Sequence, residues 1–212
     1  MKPFTQHQGV AAPIMQDNVD TDQIIPSREM TRVSKTGLGD GLFAGWRYIY
    51  DGAEKTGLAD DFVLNQNHFA DASILLSGRN FGCGSSREHA VWALKDFGVR
   101  AIIAESFGAI FRMNCARNGL LAIELAPSAI ADLQDYCEQD PQRHLLKIDL
   151  EQNTVSGAST KTFDFSIDEA DRHMLINGLD FIDYTLQFES EITTFSRRYR
   201  SANQWATLSR ID

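Results

Sequence analysis

Gly78-Arg79-Asn80-Phe81-Gly82-Cys83-Gly84-Ser85-Ser86-Arg87-Glu88-His89-Ala90 decides how this chain is read. An apolar run, Ser73-Ile74-Leu75-Leu76, precedes it, and a pattern that sets Ala90, Val91, Leu94 and Phe97 on one helical face follows. The order is strand, glycine loop, helix. Ser85 and Glu88 stand at capping-box spacing, which predicts an N-cap at Ser85, the N3 position at Glu88 and a helix that closes at Gly98. The first turn of such a helix offers unpaired backbone amides and the positive end of its macrodipole. Arg87 adds a planar fork that can hold a carboxylate through two parallel hydrogen bonds. A glycine-rich turn with a serine cap is ordinary by itself, but with a second hydroxyl and an adjacent guanidinium it describes a pocket for a small anion. Two catalytic templates do not fit. A phosphate loop carries Lys after its last Gly, where this chain has Ser85. A nucleophile elbow needs Gly two residues before its nucleophile, where Cys83 has Phe81.

Outward from that stretch the pattern repeats. Val99 to Ala104 reads as a short buried strand, Phe107 to Asn118 as a helix and Leu120 to Glu124 as a strand, after which Pro127-Ser128 opens a helix to about Gln139. This alternation predicts an α/β fold of βαβ units on a largely parallel sheet, with the Ser85–Arg87 cluster in the crevice beyond the strand ends. Upstream, Gly9 to Met15 reads as a strand running into Asp17-Asn18-Val19-Asp20-Thr21-Asp22. Those aspartates suit turn and cap chemistry better than a metal, because EF-hand spacing and its glutamate are missing. Ser27 to Gly45 is glycine-rich and basic (Arg28, Arg32, Lys35), and reads as a short helix and a mobile loop. Trp46 to Tyr50 and Phe62-Val63-Leu64 are aromatic and β-prone, expected as a lid or edge around the core. Downstream, residues 145–150, 153–156 and 162–166 read as added strands around tight turns, and Ser166-Ile167-Asp168-Glu169 offers a second capping box for a helix ending near Gly178. Tyr184 to Tyr199 carries one helical periodicity through Leu186, Phe188, Ile192 and Phe195, closed by Arg197, Arg198 and Arg200. The expected organisation is one domain over residues 1–200 and a C-terminal tail over 201–212.

Composition bounds the function. At 212 residues, 43% hydrophobic and 23% charged, the chain can bury one sizeable core. A net charge of −9 argues against nucleic acid, since no basic stripe is available to displace phosphate counterions. An anionic substrate would need a local positive pocket on an acidic background. No apolar run approaches the roughly 18 residues that span a bilayer, and Met1-Lys2-Pro3-Phe4-Thr5-Gln6 lacks a signal peptide's apolar core, so a cytoplasmic chain is expected. Cys83, Cys115 and Cys137 are odd in number and none sits in a CxxC pair, which signals neither a disulfide framework nor a zinc or iron–sulfur site held by this chain alone. Cys83 and His89 raise a cysteine nucleophile, although neither an oxyanion hole nor a third member is evident.

Gly82 through Ala90 resembles the signature of the aconitase superfamily's swivelling domain. Asn18-Val19-Asp20-Thr21-Asp22-Gln23-Ile24-Ile25-Pro26 and Ser106-Phe107-Gly108-Ala109-Ile110-Phe111-Arg112-Met113-Asn114 extend the resemblance to its isopropylmalate isomerase (3-isopropylmalate dehydratase) small subunits, over roughly Phe4 to Leu186. The resemblance implies a swivelling β/β/α domain and a hydro-lyase that interconverts 2-isopropylmalate and 3-isopropylmalate in leucine biosynthesis. It implies that Ser85 is the base, that Ser86 and Arg87 hold a substrate carboxylate, and that Asp22 stands at the rim of the site. The loop carrying Lys35, where many members have arginine, would select the substrate side chain. A [4Fe–4S] cluster, held by a partner large subunit, would bind the leaving hydroxyl through its open iron, so neither chain would act alone. Dehydratases of 2-methylmalate or citraconate, dimethylmalate or homoaconitate remain as alternatives, as does a non-enzymatic anion-binding module.

Overall fold

A computed structural model describes residues 1–30, 34–158 and 161–206; Arg32 and the last part of the tail lie outside them. In chain order the strands are β1 (Gln6–Ile14), β2 (Tyr48–Asp51), β3 (Glu54–Leu58), β4 (Ala72–Ser77), β5 (Ala101–Ala104), β6 (Leu121–Glu124), β7 (Leu146–Asp149), β8 (Thr154–Gly157) and β9 (Phe163–Asp164). The helices are α1 (Thr21–Ile24), α2 (Ala44–Arg47), α3 (Glu88–Phe97), α4 (Ala109–Asn118), α5 (Pro127–Gln139), α6 (Glu169–Asn177), α7 (Phe181–Leu186) and α8 (Glu189–Ala202).

Seven strands form one mixed sheet in the order β6-β5-β4-β1-β7-β8-β9. β1, β4, β5 and β6 are mutually parallel, and β7, β8 and β9 continue the sheet antiparallel from the other edge of β1. β2 and β3 form a separate hairpin. The parallel strands read as continuous apolar runs because both faces of the sheet are covered. Along β4 and β5, Leu75 and Ile102 enter one core with Ala90, Val91 and Leu94 of α3 and Phe111 and Cys115 of α4. Their neighbours Ile74, Leu76, Ala101 and Ile103 enter the other, with Ile130, Leu133 and Cys137 of α5. Side chains alternate across a strand, so one short run serves two cores.

The fold departs from the sequence reading at four places. α3 begins at Glu88, not at Ser85, and its N-cap Arg87 makes no side-chain cap bond. The capping box is not formed, and the carboxylate of its N3 member, Glu88, is engaged elsewhere. The Ser85 carbonyl accepts from Thr21 Oγ1 and from the Arg87 amide, and Glu88 Oε1 accepts from Asn118 Nδ2 at 2.8 Å. α6 is capped by Asp168, which accepts from the amides of Ala170 and Asp171, so Ser166 is not its cap. The single helix expected over Tyr184 to Tyr199 is two, α7 and α8, separated at Gln187 and Phe188. Trp46 closes the α2 turn before the strand starts at Tyr48, and Val63–Asn65 is a 3-10 turn whose Leu64 is buried, with Phe62 packed against Phe43 and Trp46. The aromatic segment joins the core and is not a lid.

Candidate functional site

β1, β4 and β5 are neighbours and parallel, so the segments leaving their carboxyl ends emerge side by side. Those segments are the three sequence motifs: residues 17–22 after β1, 78–87 after β4 and 105–108 after β5. Topology alone brings them together, at the end of an open sheet where ligands bind.

Hydrogen bonds lace the three into one unit. The Asn18 amide donates to the Arg79 carbonyl at 2.8 Å, Gly82 to Val19 at 2.7 Å and Thr21 to Cys83 at 2.9 Å. On the other side the Phe81 amide donates to Ser106 at 3.0 Å, the Gly108 amide to Phe81 at 2.9 Å, and the Asn80 amide to Ser106 Oγ at 2.9 Å. Asn18 and Asn80 both have positive φ (57° and 59°) and share a side-chain bond of 2.9 Å, a conformation asparagine tolerates better than other branched or bulky residues. Gly82 cannot be replaced without cost. Its φ is +72°, and a Cβ there would lie 2.2 Å from the ring of Phe111, which is buried against Phe81 and Phe107. Gly108 is equally constrained, because its Cβ would lie 2.6 Å from the Gly82 carbonyl.

On this braced backbone Ser85 and Ser86 are exposed and Arg87 is half-buried. α1 opens with a capping box between Asp20 and Gln23, which satisfies cap chemistry with the aspartates of that loop and aims Asp22 across the gap. The Arg87 guanidinium is paired with Asp22 Oδ1, and Ser27 Oγ donates to the same oxygen at 3.3 Å. The Arg87 hydrogen bond, ahead of every other influence, holds the Asp22 carboxyl below the usual carboxylate range. Ser85 and Ser86 thus lead, on one loop, into the arginine that Asp22 meets. Lys35 stands apart from them, with its ammonium 4.9 Å from the ring centroid of Trp92 on the flank of α3.

Other candidates fall away on geometry. The Cys83 thiol donates to the Asn18 carbonyl at 3.4 Å, and burial, then the nearby Asp20, push its pKa up, which is the wrong direction for a nucleophile. His89 packs its ring 4.7 Å from that of Trp92. An adjoining cleft of about 430 Å³, bounded by Arg79, Glu105, Ser106 and Glu124 among others, carries too much negative charge to suit a dicarboxylate. The cysteines do not form a cluster site: Cys115 is fully buried with its thiol pushed well up, and burial pushes Cys137 up to about 12. Among the described residues no group of three His, Cys, Asp or Glu side chains is placed to hold a metal. No helix among them is long and apolar enough to cross a membrane.

Sequence reasoning missed Thr21, whose hydroxyl donates to the Ser85 carbonyl at 3.1 Å, and Asn118. The Asn118 side chain bridges Glu88 at 2.8 Å, the Asn114 carbonyl at 2.9 Å and Trp92 Nε1 at 3.0 Å, tying the start of α3 to the end of α4. In the sequence Asn118 reads only as the last residue of the Phe107–Asn118 helix.

Residues 1–128 match the model of the aconitase C-terminal domain family. The chain is 51% identical to the 3-isopropylmalate dehydratase small subunit of Cupriavidus necator over 207 residues, covering 97% of this chain and 98% of that one. It is 46% identical to the protein of the same name from Agrobacterium fabrum, covering 97% of this chain and 100% of that one. Among solved structures it is similar to a 3-isopropylmalate dehydratase of Methanocaldococcus jannaschii, with a TM-score of 0.64 at 26% identity, covering 90% of this chain and 99% of that one.

Proposed function

The chain belongs to the 3-isopropylmalate dehydratase small subunits of the aconitase family, and on that premise we propose that it forms half of the active site of a cytoplasmic hydro-lyase interconverting 2-isopropylmalate and 3-isopropylmalate in leucine biosynthesis. Ser85 is its base. The carrying observation is the placement of an exposed hydroxyl and a half-buried guanidinium on a loop that two other motifs hold rigid. A serine hydroxyl is a weak base unless its site is preorganised and electropositive.

The proposed chemistry is a dehydration followed by rehydration at the neighbouring carbon. A proton leaves the carbon next to a carboxylate and passes to Ser85 Oγ, which enters the step as the alkoxide and leaves it as the neutral hydroxyl; the C–H electron pair becomes the C=C bond, and hydroxide departs with the C–O pair. Return of proton and hydroxide to exchanged carbons gives the isomer. Arg87, with Ser86 beside it, takes the substrate carboxylate on which negative charge grows, exchanging Asp22 for the ligand as its partner. Asp22 thus keeps the guanidinium oriented between turnovers. Lys35, on the flank of α3, belongs to the loop assigned to selecting the substrate's side chain, where it supplies a charge without a planar fork.

This chain's own donor set does not fit an iron–sulfur cluster, since Cys115 of α4 and Cys137 of α5 are buried in different cores. Acceptance of the leaving hydroxide therefore falls to a large subunit carrying the [4Fe–4S] cluster. The related dehydratases of 2-methylmalate, dimethylmalate and homoaconitate gain no support from the relatives, whose shared name is 3-isopropylmalate dehydratase. Reconstitution with the large subunit tests the reading: 3-isopropylmalate is isomerised by the pair and by neither chain alone. Activity of the isolated chain, or a pair that leaves 3-isopropylmalate untouched while turning over another branched malate, overturns it.

A further inference from the structure

Among the described residues β2 and β3 pair only with each other, and a two-stranded hairpin is marginal in water without something to pack on. What this hairpin meets is the segment that carries Lys35, at both of its ends. At the upstream end, the 3-10 turn Ser27–Glu29, the Glu29 carboxylate accepts from Lys55 Nζ of β3 at 2.9 Å and from the Tyr50 hydroxyl of β2 at 3.3 Å. Arg28 lays its guanidinium over the Tyr50 ring, 4.4 Å from the centroid. At the downstream end, the 3-10 turn Gly39–Gly41, the same Lys55 ammonium donates to the Asp40 carbonyl at 3.5 Å. The Tyr48 ring, its centroid 4.2 Å from that ammonium, backs it from within the hairpin. The two ends also touch each other: a Cβ on Gly41 would lie 2.7 Å from Glu29 Cβ, so the contact needs glycine there.

One lysine therefore ties together two ends whose other supports lie on α3. The Gly39 amide donates to Asp96 Oδ2 at 2.8 Å near the end of that helix, and Lys35 reaches the Trp92 ring in its middle. The Glu29 side chain is only 17% exposed, and a carboxylate so enclosed is costly to leave unpaired. Ser27, in the same turn, bonds the carboxylate of Asp22, the partner of Arg87, so this clasp adjoins the anion site. We infer that the β2–β3 hairpin is a clamp and that Glu29 and Lys55 are positioning residues: by drawing the ends of the Lys35 segment together they fix where it lies along α3, and through that its choice of substrate side chain. The inference rests on the reading that this segment selects the side chain. Bringing the ends of a loop together costs entropy, and a clasp that holds them leaves the segment ordered before a ligand arrives.

The chain reconstituted with its large subunit gives the test. The readout is kcat/KM for 3-isopropylmalate divided by kcat/KM for 3-methylmalate, the same acid with a shorter side chain. A variant that merely unfolds part of the population lowers both values and leaves their ratio alone. Glu29→Met and Lys55→Met each lower the ratio about fivefold, mainly through KM for 3-isopropylmalate. The double variant lowers it no further than either single one, because both remove one clasp. Tyr50→Phe, which leaves the lysine bond in place, lowers it less. Should Glu29→Met fail to assemble, Lys55→Met, on the surface of the hairpin, decides alone. A ratio unchanged in the clasp variants overturns the inference, as do losses that multiply in the double variant. Lys35→Ala separates the two readings: a ratio moved by Lys35→Ala but not by the clasp variants defeats the clamp and leaves the segment its role, whereas a ratio that none of these variants moves defeats the selection reading itself.

Discussion

In the Gly78–Arg87 loop the backbone is tied on two sides, to Asn18, Val19 and Thr21 and to Ser106 and Gly108, and the exposed side chains, Arg79, Ser85 and Ser86, are polar. In α7 and α8 the backbone is satisfied within each helix and the exposed groups include Phe181, Ile182, Leu186, Phe188, Ile192 and Phe195. Both regions are exposed, and the contrast teaches what exposure means. Rigid polar exposure suits a small anion, whose binding depends on donors held in place before it arrives. Apolar exposure on a helix that buries no residue leaves it without the packing that ordinarily stabilises a helix.

The contrast breaks most easily at Gly82. Gly82→Ala combines a left-handed backbone with a clash on the Phe111 ring, for about 3 kcal/mol of lost stability by chemical denaturation. Ile182→Ser at the exposed arm should stay within about 0.5 kcal/mol; equal losses at the two sites would erase the distinction between them. Next in size is Asn118→Ala. It strips a partner from Glu88 and from Trp92, for about 1–2 kcal/mol, and loosens the first turn of α3 next to Arg87, so KM rises in the reconstituted pair more than kcat falls. Arg87→Lys keeps the charge and loses the fork, so kcat/KM drops about tenfold with the melting temperature nearly unchanged, because Asp22, the partner of Arg87, is exposed. A large stability loss there would make the arginine a structural residue.

The smallest effect lies in the scaffold beneath both regions. His7, on β1, bonds Ser73 Oγ through Nε2 at 2.8 Å, and burial, then Arg100 and Lys2, hold its pKa below the ordinary 6.5. The unfolded chain binds this proton more readily than the folded one, so the stability contribution is complete above pH 6.5 and declines as pH falls from there to the lowered folded value. His7→Gln should flatten that part of the pH–melting curve, and an unchanged slope between pH 7 and 5 would remove His7 as its source.

The parallel half of the fold was legible because its strands are short apolar runs bounded by glycine turns, and Pro127 marks the first residue of α5. The three motifs were legible as residues but not as a unit, since their meeting depends on β1 lying beside β4. For the same reason the start of α3 was misread. Capping rules see local spacing, whereas the Glu88 carboxylate is taken by Asn118, 30 positions away. The pairing of Arg87 with Asp22 was hidden in the same manner, although both residues had been singled out. The break between α7 and α8 has no Gly or Pro to announce it, and periodicity runs through it unchanged.

The central claim is that Ser85 Oγ carries the substrate's proton within a site completed by another chain. It is tested most directly by following deuterium exchange from solvent into the carbon next to the carboxylate of 3-isopropylmalate, using the Ser85→Ala chain assembled with its large subunit. The account predicts an intact complex in which exchange and isomerisation both fall by at least about 10³-fold; exchange at the wild-type rate would contradict it.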